Sequence, residues 1–150
     1  MSIKRGKLEF QNVLSMTTKC RYDEWGERVG ILKLFILNND LFVTGPVILR
    51  WNEIEDEEGN KELTIYVPIY QKIQMEENET FKFNNSLCIK DGLKIRHVEE
   101  EEIRTSEHTM EQVAEQMQIK LEKPYYYIYL PVYGEYIIDV YAPILEEEEQ

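Results

Sequence analysis

The sequence predicts an α+β fold built from a duplicated strand–helix–strand–strand (β-α-β-β) unit. Three observations carry that reading. Segments rich in β-branched and aromatic residues alternate with two segments of helical periodicity, and the order strand, helix, strand, strand occurs twice. Short matches recur between the halves, GPVIL at 45–49 against KPYYYI at 123–128 and LTIYVPI at 63–69 against IIDVYAPI at 137–144. The chain of 150 residues, 43% hydrophobic and 31% charged, suits a single domain spanning 1–150.

The elements follow in order. LEFQNVLSMTTKCRY, 8–22, reads as a strand with rough alternation. A helix over 23–40 follows, with Asp23 as N-cap and Asn38 and Asn39 at its exit. Val29, Leu32, Phe35 and Ile36 share its apolar face, and Ile31, Leu34 and Leu37 widen that face, so burial over most of its circumference is expected. After a turn at Gly45 and Pro46 a strand runs to Trp51, a polar loop covers 53–62, and a strand over 63–70 returns as an antiparallel hairpin ended by Pro68.

A linker at 71–79 leads to a short strand at 81–83 and a strand at 86–98, broken at Asp91 and Gly92. A polar crossover, 99–108, precedes a helix over 109–121 with Met110, Val113, Ala114, Met117 and Leu121 at helical spacing and a capping box from Thr109 to Gln112. Strands at 125–130 and 136–144 close the second copy. The repeats are thus about 8–70 and 80–145, followed by an acidic tail, 146–150. Pro46 to Pro68 spans 22 residues and Pro124 to Pro143 spans 19, a difference that a shorter second hairpin explains.

Composition excludes some functions. Seventeen Lys and Arg against 29 Asp and Glu give a net charge of −12, which repels nucleic acid and anionic membrane surfaces and favours a cationic ligand or a basic protein face. No signal peptide or apolar run of membrane-spanning length is visible, so a cytoplasmic location is expected. Cys20 and Cys88 form no disulfide framework or metal-binding spacing, and no cofactor is expected. No serine sits in a nucleophile elbow, and His97 and His108 fall in different elements, so a hydrolytic triad has no support.

The paired prolines, Pro46 and Pro124 before aromatic strands and Pro68 and Pro143 in V-P-I and A-P-I endings, give the chain a known look. It resembles the gyrase-inhibitor-like (GyrI-like) small-molecule-binding domain, the effector-binding module of multidrug-sensing regulators that also occurs alone. The resemblance implies pseudo-twofold symmetry, a curved antiparallel sheet with both helices outside, and a central cleft for an apolar, often cationic guest, with aromatic walls and a buried acid. Asp139, four residues before Pro143, stands at that acidic position, where the first copy has Thr64. The first strand begins close to Met1, so the stand-alone form is expected, without direct transcription control.

The candidate ligand-binding residues are Asp139, Tyr141, Tyr66, Trp51, Tyr125, Tyr127 and Tyr129. Alternation puts Tyr125, Tyr127 and Tyr129 on one face of their strand and Asp139 with Tyr141 on one face of the next. Trp51 and Tyr66 are the wall candidates from the first hairpin; Trp25 suits packing, and Arg50, Arg96 or His97 could neutralise a buried acid. The leading expectation is a protein that senses or sequesters a small amphipathic, possibly cationic molecule. The alternative is an interaction or inhibitor protein whose acidic runs, Glu53 to Glu58, Glu99 to Glu102 and Glu146 to Glu149, grip a basic partner. Hydrolysis of lipophilic electrophiles, turning on Asp139, is the third.

Overall fold

The computed structural model describes residues 2–146, apart from the side chain of His97; the acidic tail beyond Glu146 lies outside the described residues. The elements are β1 (Ile3–Cys20), α1 (Trp25–Asn38), β2 (Val47–Glu55), β3 (Lys61–Pro68), β4 (Phe81–Val98), α2 (Ile103–Gln116), β5 (Tyr126–Val132) and β6 (Glu135–Pro143). Short 3-10 turns, Tyr22–Glu24 and Glu100–Glu102, lead into the two helices. Every strand pairing is antiparallel, and the sheet closes on itself in the order β1-β3-β2-β5-β6-β4.

The duplication is visible in the backbone hydrogen bonds. Leu41 N–H donates to Ile36 O and Ile119 N–H to Ala114 O; Asp40 and Gln118, at φ 56° and 59°, end the helices alike, 78 residues apart (40 to 118). Later in each copy Thr44 N–H reaches Pro68 O, and Glu122 N–H reaches Pro143 O, both within 3.0 Å. The β5–β6 hairpin turns on Tyr133 and Gly134, both at positive φ, the two-residue geometry that matches strand twist.

The two long strands change faces midway. Leu8 and Phe10 pack in a small cluster with Ile48, Tyr126, Ile128 and Tyr141, whereas Leu14 and Met16, of the same parity, join the main core beneath the helices. Asn12 makes the switch with φ 55°, a left-handed conformation that Asn tolerates. In β4 an extra residue does the same work, since Gly6 pairs with Gly92 while Leu8 pairs with Ile89. The expected break at Asp91 and Gly92 is therefore a bulge in one continuous strand. The equivalence extends to hydrogen bonds, Ile69 N–H to Asn12 O at 2.8 Å and Ile144 N–H to Asp91 O at 3.0 Å.

Two expectations are corrected. α2 starts at Ile103, not Thr109, because the run read as a crossover is rich in helix formers and Ile103 begins the buried face continued by Ser106, Met110 and Ala114. Thr109 lies mid-helix, where its hydroxyl donates back to Thr105 O at 2.9 Å, and Leu121 lies beyond the helix in a bridge to Ile144. The second concerns α1. Val29, Leu32 and Ile36 are buried, but Ile31, Leu34 and Leu37 face outward, because the sheet covers only one side of the helix.

Candidate ligand-binding cleft

The alternation of β5 directs Tyr127 and Tyr129 toward the helix-bearing side of the sheet, with Tyr125 just before the strand on the same side. β2 runs beside β5, pairing Leu49 with Tyr127 and Val47 with Tyr129, and its Trp51 joins the tyrosines. Over this floor stands the first half of α2, contributing Ile103, Arg104 and Glu107, with Glu100 from the preceding turn and Tyr22 from across the fold. Together they bound an open cleft of about 880 Å3, room for a drug-sized molecule.

Its polar groups are arranged in phenol–carboxylate pairs. Glu107 and Glu111 are one helical turn apart and so share a face of α2. The Tyr127 hydroxyl donates to Glu107 Oε1, and the Tyr125 hydroxyl donates to Glu111 Oε1 at 3.2 Å. Tyr22 likewise donates to Glu100 Oε1 at 3.2 Å. Burial first, and then the neighbouring carboxylates, push Tyr125 and Tyr127 well above the ordinary phenol value; burial and Tyr22 do so for Tyr129. At neutral pH these phenols are neutral donors.

A cation already sits at the edge. Lys123 Nζ lies 3.6 Å from Glu111, 3.7 Å from Glu53 and 5.9 Å from the centre of the Tyr125 ring. The cleft is lopsided with respect to the pseudo-twofold. Trp25, the counterpart of Ile103, packs 4.7 Å from the Tyr129 ring and 6.1 Å from Tyr136, filling the first-copy end with aromatic rings.

Raised phenol pKa values fix a pH response. A phenol that titrates higher in the folded than in the unfolded chain adds stability that is intact below about pH 10 and is lost as pH rises through the folded value. Thermal stability is expected to fall steeply above about pH 10. Absorbance at 295 nm should show a class of tyrosines that ionises only with unfolding; all ten titrating together near pH 10 in folded protein would contradict this.

Of the residues singled out in the sequence, Trp51, Tyr125, Tyr127 and Tyr129 meet in this cleft. Asp139, Tyr141 and Tyr66 lie on the opposite face of the sheet. Asp139 is 4% exposed and lies 3.6 Å, Oδ2 to Nε, from Arg96. Tyr141 donates to Gly6 O at 2.7 Å, and its phenol is pushed up to about 12 by burial and the charge of Asp91. It borders a hollow of about 180 Å3 among Lys4, Arg5, Lys7 and Lys94, whose positive charge disfavours a cation. Tyr66 stands 6.2 Å from the Tyr126 ring, over which the Arg50 guanidinium lies at 5.2 Å. Glu107 and Glu111 were missed. Their signal is the four-residue spacing, legible only once α2 is started at Ile103.

Among the described residues no group of three His, Cys, Asp or Glu is placed to hold a metal, and no helix is long and apolar enough to cross a membrane.

Comparison with known structures places the fold. The EcmrR C-terminal domain matches with a TM-score of 0.67 at 10% identity, covering 98% of this chain and 100% of that one. EcmrR in its complex with DNA matches with a TM-score of 0.67 at 11% identity over 95% of this chain; the chain spans 57% of that longer protein. SAV2435 bound to tetraphenylphosphonium matches with a TM-score of 0.53 at 10% identity, covering 97% and 94% of the two chains. These neighbours have the GyrI-like fold, and the α+β architecture here is theirs. No curated protein sequence matches the chain. By sequence, the chain belongs to the family described as a domain of unknown function (DUF5085), whose model matches residues 9–146.

Proposed function

We propose that this chain senses or sequesters a small amphipathic cation, bound between the β2–β5 floor and the first half of α2. The observation that carries the reading is the pairing of phenols with carboxylates, in which Tyr127 and Trp51 offer ring faces and Glu107 and Glu100 offer charge. A lipophilic cation needs both, since each ring contributes about 0.5–2 kcal/mol and a carboxylate supplies the counter-charge. In this reading Glu107 takes the part that the sequence suggested for Asp139, whose buried carboxylate serves the far side of the sheet beside Arg96. SAV2435, of the same fold, is known bound to tetraphenylphosphonium, a cation of this class.

Titration with tetraphenylphosphonium tests the proposal. Saturable quenching of tryptophan fluorescence and a raised melting temperature are expected, since Trp51 lies in the wall. A panel of lipophilic cations that produces neither would overturn it.

One observation favours the second reading, a basic protein partner. Glu53, Glu55, Glu100 and Glu101 crowd the rim, and a hydrogen bond with Glu101, followed by repulsion from Glu101 and Glu102, holds the Glu99 carboxyl above its usual range. Such a complex would dissociate steeply as salt is raised, whereas a guest held by ring faces as well as charge would weaken far less.

A further inference from the structure

The duplicated fold supplies its own control for surface composition, and α1 departs from it. Leu34 is 57% exposed and Leu37 68%, with Ile31 also exposed, and Phe42 and Tyr70 extend apolar surface beyond the helix, their ring centres 5.3 Å apart. At the 78-residue offset, the twin positions on α2 are Thr109 for Ile31, Gln112 for Leu34 and Glu115 for Leu37, and Lys120 stands for Phe42. The same fold position is therefore content with polar residues. Packing within the chain does not account for the leucines, and a contiguous apolar face of this kind marks a contact site.

We propose that this face of α1 is a homodimer interface, in which two copies pack their α1 helices antiparallel about a twofold axis. The occupant is argued from charge and shape. A second copy carries the same −12, so association is opposed over most of the surface. The outward face of α1 between Gly30 and Asn38 bears no acid, and its one carboxylate, Glu27, stands at the N-terminal end while Asn38 stands at the other. Antiparallel packing brings Glu27 of each helix beside Asn38 of its mate, a carboxylate against an amide donor.

The shape is self-complementary too. Gly30, one turn before Leu34, has open space around the position of a Cβ, so each Leu34 projects into the notch at the other copy's Gly30. Because repulsion between the copies is electrostatic while the seam is apolar, the dimer tightens as salt is raised.

Sedimentation equilibrium of the full chain at rising concentration tests this with two variants. Wild type is expected to dimerise in the micromolar range. Leu34→Glu, at an exposed position, should keep the circular dichroism of the fold and raise the dissociation constant by about 100-fold or more. Gly30→Leu should raise the melting temperature of the monomer, since glycine is a poor helix former, yet weaken the dimer by filling the notch. A merely structural glycine would not separate those signs. A wild type that stays monomeric overturns the proposal and leaves the face to a different protein; a dimer indifferent to both variants overturns it by placing the interface elsewhere.

Discussion

Replacing Glu107 by glutamine is expected to weaken binding of tetraphenylphosphonium about tenfold, or 1.4 kcal/mol, with little loss of stability. The expectation rests on what the substitution keeps. Gln Oε1 still accepts the proton of the Tyr127 hydroxyl, so the ring stays where the structure places it. Only the charge goes. The cleft is open to solvent, which screens the attraction and holds the effect to about one order of magnitude, well below the loss seen for a fully buried ion pair. Tyr127→Phe should show the complementary pattern, with the ring face retained and the glutamate freed to turn toward solvent. Isothermal titration of wild type and both variants decides this, and equal affinities in all three would remove Glu107 from the site.

Replacing Gly92 by alanine is expected to cost about 2–4 kcal/mol of stability. A Cβ at that position would stand 2.5 Å from the Tyr141 hydroxyl oxygen and 2.7 Å from Cε1, closer than such atoms approach. Moving the ring is costly. Tyr141 is 1% exposed, and its hydroxyl donates to Gly6 O at 2.7 Å, so a swing would leave a buried polar group unpaired as well as disturb the packing. Urea unfolding measures the loss, and the double variant with Tyr141→Leu should make the alanine nearly harmless. A single-variant loss within about 0.5 kcal/mol would show that the ring is not seated over Gly92.

The doubled architecture was legible because its markers are covalent constraints: proline lacks a ladder donor and favours strand boundaries, and Pro46 and Pro124 stand just ahead of strands while Pro68 and Pro143 end them, in register. The face switch at Asn12 was not, because an asparagine in a strand looks like an ordinary outward residue until its φ is known. Period-2 alternation sufficed to group Tyr125, Tyr127 and Tyr129. It could not say which face of the sheet lay under a helix, and so it could not separate them from Asp139 and Tyr141. Among 29 acidic residues, Glu107 and Glu111 had no local mark. Their role depends on the start of α2, and a run of glutamates reads as well for a solvated loop as for a helix whose apolar face begins at a single isoleucine.

The most direct test of the cation-binding reading is an amide and indole chemical-shift map of the protein titrated with tetraphenylphosphonium. The account predicts saturable shifts at the Trp51 indole N–H, across 125–129 and along 103–111, with Asp139 and Tyr141 little changed. Shifts confined to the Asp139 and Tyr141 face, or no saturable shifts at all, would contradict it.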